Sequence, residues 1–421
     1  MNSFNRQTLI AALDIGSSKV CCVIARVSRD RKITIAGFGY NASKGIKNGI
    51  VTDIRQATYS VCDAIESAEQ MASERVERII VNISGKDIKS RNRTAEISLN
   101  KTKPISDLEI KKVIEKGIYR INVENNELIH CLPMGYKIDH GEETIDPRNL
   151  FGENLSVDVL LGLVPDITYR NTKTVLDNSH LEIAEKVISP YASGLACLVD
   201  DEKELGATVI DIGGGTTSIA SFKHGHPTYF GSLGVGGNNV TNDIAWGLLT
   251  SFAHAEHLKT LHGCAFLTTQ DKNEMINVYP VGEEDDSSIK QVPKSELIHI
   301  ISSRIEEIFE MVKDKFIEGG NAICTNRIVL TGGTSQLTGI RDVASMAFDR
   351  QVRLGRPRSI GNILDISSYP RFQDPSFSTV IGLLLFVLNY TEKKPNKIIS
   401  KPLNNDGSRF NRIMNWIKQN F

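Results

Sequence analysis

One short pattern occurs twice, far apart, in this chain of 421 residues. In both places an apolar run ends in an aspartate, and glycine and hydroxyl residues follow, as LDIGSS at 13–18 and IDIGGGTT at 210–217. Glycine lets an anion approach the backbone N–H groups, and open α/β sheets bind ligands at the carboxyl ends of their strands. The repeat therefore predicts a duplicated α/β domain with a phosphate group between its halves.

A third glycine turn supports the same site. TGGTSQLTG at 331–339 follows a predicted strand at 327–330 and precedes a predicted helix at 340–349. Asp14 and Asp211 are carboxylates of the kind that Mg²⁺ takes through water. No GxxxxGK[ST] string occurs, and no GxGxxG follows a predicted strand, which excludes P-loop and Rossmann sites. The alternative is three unrelated structural turns.

Composition narrows the class of protein. The chain is 40% hydrophobic and 24% charged, as in ordinary globular domains. A formal net charge of -1 gives no field that attracts nucleic acid, so we expect no nucleic-acid partner.

Seven scattered cysteines without a CxxC pair suit a reducing compartment. The longest apolar run, 380–388, is shorter than the roughly 20 residues that cross a bilayer. The N-terminal residues lack a signal-peptide pattern. Together these features predict a cytoplasmic protein.

The order of predicted elements divides the chain. Residues 8–84 give strand, strand, strand, helix and strand, which is typical of a ribonuclease-H-like half-domain. We expect Thr52 to cap that helix. A more polar segment follows, with an SDLE capping box at 106–109 that satisfies free N–H groups at a helix start. It predicts a small inserted α+β domain, and Asp166 is expected to cap the next helix.

Two further features receive structural interpretations. KHGHP at 223–227 could bind a metal through its histidines, but a hairpin turn is favoured because no Cys or His pair completes the set. Trp246 is interpreted as a core residue.

Five segments resemble, in the same order along the chain, the motifs of the superfamily of actins, heat-shock chaperones and sugar kinases. These segments are 14–19, 188–198, 211–217, 331–339 and 378–390. More closely, LDIGSSKV, ISGKDI, ELGATVIDIGGGTTSIA, AEHLK followed by HGCA, and IVLTGGTSQLTG resemble the FtsA family of bacterial cell-division actins. The resemblance extends along nearly the whole chain. It implies an actin-like (ribonuclease-H-like) duplicated α/β fold, with an inserted small α+β domain and a C-terminal amphipathic helix.

The resemblance and the element order together predict the domain organisation. The first actin-like half comprises 1–84, 164–198 and 356–391, around an inserted α+β domain at 85–163. The second half has a core at 199–230 and 297–355 and an outer subdomain at 231–296. A flexible linker at 392–408 and a membrane-targeting helix at 409–421 complete the chain.

The resemblance implies an ATP and Mg²⁺ site in the cleft between the halves. The phosphates and metal would face Asp14, Gly16, Ser17, Ser18 and Lys19 on one side and Asp211, Gly213, Gly214, Gly215 and Thr216 on the other. The nucleoside would contact Gly236, Gly237, Asn238, Glu256, Lys259, Gly332, Gly333 and Thr334. Ser189 and Pro190 stand where muscle-type actins have a water-orienting glutamine. No catalytic residue is assigned, and we expect at most slow ATP hydrolysis.

The C-terminal residues carry a separate signal. Phe410, Ile413, Met414, Ile417 and Phe421 fall within roughly 100° of a helical wheel, with Trp416 toward one edge. Arg409, Arg412 and Lys418 add positive charge. The pattern predicts a helix that lies in the interface of anionic membrane lipids. The alternative is a helix that docks on the protein's own core.

The main hypothesis is an ATP-binding, actin-like cell-division protein. It would polymerise on the inner face of the cytoplasmic membrane, tether FtsZ filaments there, and recruit later division proteins through the inserted domain. It would be peripheral and located at the division site. The resemblance implies FtsZ contacts within 231–294, where this chain has the acidic stretch VGEEDDSSIK. The alternatives are a pilus-assembly or chaperone-like ATPase that docks a partner, and a sugar-kinase-like phosphotransferase, which would leave the C-terminal pattern unexplained.

Overall fold

A computed structural model describes residues 8–28, 30–119, 125–269, 271–282, 289–320, 325–360 and 364–393. Its strands are β1 (Thr8–Ile15), β2 (Lys19–Val27), β3 (Ile33–Ala42), β4 (Ile46–Lys47), β5 (Ile50–Val51), β6 (Arg78–Ile83), β7 (Lys89–Ser98), β8 (Asn126–Ile138), β9 (Glu143–Thr144), β10 (Asn154–Pro165), β11 (Glu182–Ile188), β12 (Ala207–Ile212), β13 (Thr217–Lys223), β14 (His226–Leu233), β15 (Met275–Val278), β16 (Lys290–Pro293), β17 (Arg327–Thr331) and β18 (Gln351–Leu354). Its helices are α1 (Ile54–Ala72), α2 (Asp107–Ile118), α3 (Asp166–Asn178), α4 (Ser189–Cys197), α5 (Asp200–Leu205), α6 (Gly237–Gly247), α7 (Phe252–His262), α8 (Lys294–Gly319), α9 (Ile340–Phe348) and α10 (Ser378–Lys393).

The end of the chain is covered only in part. Helix α10 continues through Lys393 and so includes the first two residues of the expected linker. The rest of that linker and the predicted amphipathic helix at 409–421 lie outside the described residues. Across the ranges that are described, no helix is both long and apolar enough to span a bilayer.

Two sheets repeat one strand order, which confirms the predicted duplication. The first half has the order β3-β2-β1-β6-β11, antiparallel up to β1 and parallel beyond it. The second half has the order β14-β13-β12-β17-β18 with the same directions. Strands β1 and β12 are apolar and buried, as central strands covered on both faces must be. Because β1 and β12 occupy equivalent places in the two sheets, Asp14 and Asp211 lie at equivalent strand ends.

The inserted domain joins both halves. Its strands, in the order β7-β10-β8-β9, extend the sheet of the second half beyond β14, although its chain leaves from the first half. The junction is short: Gly231 pairs with Lys89, and Ser90 Oγ accepts a hydrogen bond from Phe230 N (2.9 Å). The apolar face of α2 covers this sheet and forms a separate small core with β10. The insert therefore spans the two halves instead of projecting from one.

His130 on β8 fills the space where the insert meets both halves. Its ring is buried and packs against Tyr191, Phe230 and Phe386. Burial, with a smaller contribution from the positive charge of Lys186, lowers the pKa of His130 to about 3. The neutral ring accepts a hydrogen bond at Nε2 from Ile188 N (3.1 Å). His130 thus links β8 of the insert to the end of β11 through this hydrogen bond.

The N-terminal caps predicted for α1 and α2 have different outcomes. The predicted capping box is confirmed, because the Glu109 carboxylate accepts from Ser106 N (3.0 Å) and Ser106 Oγ caps the first turn of α2. The predicted cap of α1 is wrong by one residue. Asp53 Oδ1 accepts from Gln56 N (3.0 Å), whereas the Thr52 hydroxyl donates to a loop carbonyl. Both residue types can cap, and the loop that precedes α1 selects between them.

Three other side-chain predictions also have an outcome. His224 and Gly225 form the turn of the β13–β14 hairpin, as predicted. Asp166 is the first residue of α3 and pairs with Arg170 (3.1 Å), so the prediction that it caps the helix is wrong. The prediction of a core position for Trp246 is also wrong, because the residue is 83% exposed near the end of α6.

Helices α4 and α10 cross at the centre of the first half. Nearly every residue of α4 is buried, and α10 is buried through Val387, where its described side chains end. A Cβ on Gly382 would lie 1.8 Å from the carbonyl oxygen of Ala192. The helix backbones are therefore in direct contact, and only glycine fits at this position of α10.

We expect Gly382→Ala to destabilise the protein. Alanine favours a helix over glycine by about 1 kcal/mol, but the collision with Ala192 outweighs that gain, and overpacking typically costs about 1–3 kcal/mol. Urea unfolding should show the loss. Gly333→Ala is a suitable control, because its new Cβ would lie 3.7 Å from the nearest atom, Ser376 Cβ. Equal stability of the two variants would contradict the helix contact.

Candidate functional site

A cavity of about 490 Å³ lies between the two halves, at the ends of β1, β12 and β17. Ligand pockets commonly have volumes of roughly 300–1,000 Å³. Of the residues predicted to bind nucleotide, all except Gly215 and Gly236 line this cavity. Those that line it are Asp14, Gly16, Ser17, Ser18, Lys19, Asp211, Gly213, Gly214, Thr216, Gly237, Asn238, Glu256, Lys259, Gly332, Gly333 and Thr334.

The first turn forms one wall of the cavity. It is closed by a backbone hydrogen bond from Gly16 N to Lys19 O (3.0 Å). The Ser18 hydroxyl reaches across the cavity and donates to Asn238 Oδ1 on α6 (3.3 Å). The turn of the first half is therefore linked directly to the second half.

The second turn approaches the first closely. A hydrogen bond from Gly213 N to Thr216 O (2.9 Å) closes it. A Cβ on Gly214 would lie 1.8 Å from Ser18 Oγ, so a side chain there would force the turns apart. Gly215 and Gly236, the two predicted residues that do not line the cavity, also lie in close contact with their neighbours. A Cβ on Gly215 would lie 2.5 Å from Ser17 Oγ, and one on Gly236 would lie 2.6 Å from a carbonyl oxygen of the second turn.

The third turn holds the second in place. Gly332 has a φ of +86°, a left-handed conformation that favours glycine, and its Cβ would lie 2.3 Å from Asp211 Oδ1. Thr334 Oγ1 donates to Gly213 O (3.1 Å). The backbone after β17 therefore packs directly on Asp211 and on the turn that follows it.

Two buried carboxylates define the charge at the centre of the cavity. Burial raises the pKa of Asp14 to about 7; Lys19 opposes the shift and Asp211 adds to it. Burial also raises the pKa of Asp211, against hydrogen bonds from the hydroxyls of Ser193 (2.5 Å) and Thr379 (3.4 Å). A cation between them would relieve the repulsion. Two carboxylates beside an open cavity fit Mg²⁺, which proteins often hold through one or two carboxylates together with phosphate oxygens.

Lys19 supplies positive charge near these carboxylates. Its ammonium donates to Ser376 Oγ (2.9 Å) and lies 3.1 Å from the centre of the Phe377 ring. Burial lowers the pKa of Lys19, against the attraction of Asp14. The turn that precedes α10 therefore determines where this lysine points.

At the opposite end of the cavity, Lys259 joins two helices. Its three ammonium hydrogens go to Glu256 Oε2 (2.6 Å), Thr241 Oγ1 (2.8 Å) and Gly237 O (3.2 Å). Because these bonds use all its donors, Lys259 positions Glu256 and the start of α6. Glu256 remains as the carboxylate available to a ligand hydroxyl at this end.

Several cavity residues were absent from the predicted set. They are Asn82, Ser84, Ser189, Ser218, Val240, Thr260, Gly263, Gln336, Leu337, Thr338, Pro375, Ser376 and Thr379. Asn82 had a detectable signal, since a carboxamide is unusual in an apolar buried strand such as RIIVNI. Ser376 had none, because only the return of the chain before α10 brings it to Lys19.

Comparison with known proteins agrees with this architecture. The family model described as "Cell division protein FtsA" matches residues 208–382, and "SHS2 domain inserted in FTSA" matches residues 85–161. The second match confirms the inserted α+β domain of the predicted fold class.

Among solved structures, a PilM-PilN type IV pilus biogenesis complex superposes with a TM-score of 0.58 at 15% identity, over 90% of this chain and 98% of that chain. MreB5 of Spiroplasma citri bound to ADP gives a TM-score of 0.56 at 12% identity, over 92% and 98%. At these identities the likeness concerns the fold alone, and it confirms the actin-like fold.

A full-length relative gives the stronger evidence. "Cell division protein FtsA" of Agrobacterium fabrum is 34% identical to this chain over 432 aligned positions, which cover 100% of this chain and 96% of the relative. The similarity thus includes the insert and both halves. This chain belongs to the FtsA family of cell division proteins.

Proposed function

We propose that this protein binds ATP with Mg²⁺ in the cleft and polymerises on the inner face of the cytoplasmic membrane at the division site. There it tethers FtsZ filaments to the membrane and recruits later division proteins through the inserted domain. The observation that carries the proposal is the cavity between two equivalent aspartate-glycine turns, within a member of a cell-division family.

The cavity provides the charged and polar groups that bind a nucleoside triphosphate. Two glycine turns line the cavity from opposite halves, and Lys19 and the pair Asp14 and Asp211 supply charges for phosphate and metal. Glu256 offers an acceptor to ribose hydroxyls at the other end. The fold neighbour MreB5, which was solved with ADP, adds support for a nucleotide in this cleft.

Asp211→Asn tests the nucleotide site. Asparagine has the same shape and can still accept from Ser193 and Thr379, but it removes the negative charge. Because loss of an outer-shell partner lowers metal affinity about 10–100-fold, we expect ATP binding in the presence of Mg²⁺ to weaken by at least about tenfold. Isothermal titration calorimetry with ATP in the presence of Mg²⁺ measures this affinity. Asp201→Asn, at an exposed position on α5, is the matched control. A wild-type protein that does not bind ATP would overturn the proposal.

Membrane attachment rests on the C-terminal pattern. A single amphipathic helix with Phe, Ile and Met on one side, Trp toward one edge and Arg or Lys on the other side binds anionic lipid reversibly. Several copies on one filament would bind much more firmly through avidity. The proposed polymer and the proposed helix therefore depend on each other.

Removal of 409–421 should abolish flotation with vesicles of phosphatidylglycerol and phosphatidylethanolamine, with or without ATP. A matched pair of full-length variants separates apolar insertion from charge. Ile413→Asp places a carboxylate on the predicted apolar face, and Asn415→Asp makes the same charge change on the predicted polar face. We expect the first to lose most vesicle binding and the second to keep most of it. Equal effects would contradict an amphipathic membrane helix.

The outer part of the second half has an exposed apolar surface. Trp246 is 83% exposed, and Leu249 and Val281 are each 66% exposed. Backbone hydrogen bonds hold them side by side, from Leu249 N to Trp246 O (3.4 Å) and from Val281 N to Leu249 O (3.1 Å). Exposed apolar groups held together in this way commonly mark a protein interaction site. We assign this surface, which lies within 231–294, to FtsZ.

Trp246→Ala should weaken binding of FtsZ. Exposed tryptophans at interfaces are frequent hot spots, with losses of about 2 kcal/mol or more on truncation, or roughly thirtyfold in Kd. Fluorescence anisotropy with labelled FtsZ measures the affinity. Leu205→Ala is the control, since Leu205 is 84% exposed on a different part of the same half. If both variants behave like wild type, FtsZ binds elsewhere.

A further inference from the structure

Asn82 is a buried polar side chain at the end of β6, in the cavity wall. It is 3% exposed and lies in a strand whose other buried residues are aliphatic. In the parallel pair of β1 and β6, Leu13 is opposite Val81, so Asn82 stands beside Asp14. Its place in the wall was not among the expectations from sequence.

Every hydrogen-bonding group of this carboxamide is engaged. Asn82 Oδ1 accepts from Ile15 N (2.7 Å). Asn82 Nδ2 donates to Asp14 Oδ1 (2.8 Å) and to Ser189 Oγ (3.1 Å). The Ile15 N–H requires an acceptor, which determines that the amide nitrogen faces Asp14.

The Ser189 hydroxyl completes this arrangement. It donates to Ile83 O (3.1 Å), so its lone pair faces Asn82. The carboxamide is therefore held from two sides and cannot rotate without leaving a buried group unpaired. One oxygen of Asp14 is thereby fixed against the wall of the cavity.

We propose that Asn82 is the positioning residue of the Asp14 carboxylate and orients it for a hydrated Mg²⁺ ion that accompanies the nucleotide. This inference rests on the proposed function. A neutral donor suits the task, because it stabilises the carboxylate without cancelling the charge that attracts the metal. A cation at position 82 would neutralise Asp14, and a further carboxylate would add repulsion.

Asn82→Leu tests the proposal, because leucine has the same branching and lacks the polar atoms. The full-length protein is titrated with Mg²⁺ at a fixed ATP concentration, and ATP affinity without metal is measured separately. We expect the Mg²⁺ concentration for half-maximal effect to rise about tenfold, as for loss of a partner that orients a metal ligand. Metal-free ATP affinity should change less than about twofold, which is small beside that effect. Asn178→Leu, the same substitution at an exposed position at the end of α3, is the control.

The outcomes separate the two proposals. Wild-type protein that does not bind ATP would overturn the nucleotide site itself. Wild-type binding with an unchanged Mg²⁺ dependence in Asn82→Leu would overturn the role of Asn82 alone, as would equal losses with and without metal. If Asn82→Leu does not fold, Asn82→Ser replaces it, since it leaves room for water to satisfy Ile15 N. It should shift the Mg²⁺ dependence in the same direction, and no shift would refute the proposal.

Discussion

The cleft depends on a contact between two backbone turns that leaves no space for a side chain. Gly214 lies against Ser18, and the Ser18 hydroxyl donates to Asn238 on the far side of the cavity. The two turns belong to different halves of the molecule, so their separation determines the width of the cavity. A similar contact at Gly382 determines how closely α4 and α10 cross. Glycine is required at these positions for its lack of volume.

Neutral donors hold the two carboxylates at the centre of the cleft. Asp14 and Asp211 are both buried, and Lys19 is the cation near them that opposes both pKa shifts. Hydroxyl groups orient Asp211, and the carboxamide of Asn82 orients Asp14. Such donors fix the positions of the carboxylates and leave their charge available. The arrangement favours a bound cation, because burial makes the uncompensated pair unfavourable.

The sequence predicts structure best where the physical cause is local. The glycine-turn pattern depends on a strand end and a turn, and it identified the three turns that line the cavity. The capping box at Ser106 needs only four consecutive residues. The cap of α1 was misassigned because Thr52 and Asp53 are both able to cap, and the loop geometry decides between them. Trp246 was misassigned because apolarity alone does not separate a core residue from an exposed one.

By itself, the sequence determined the family, the duplication of the half-domain and the residues of the three glycine turns, because these follow from short patterns repeated in a fixed order. Only the tertiary structure decided how the insert bridges both halves through β7 and β14. It alone also decided that Ser376 meets Lys19 and that Asn82 meets Asp14. The physical reason is that these contacts join residues distant in the chain, and their partners are chosen by the packing of sheets and helices.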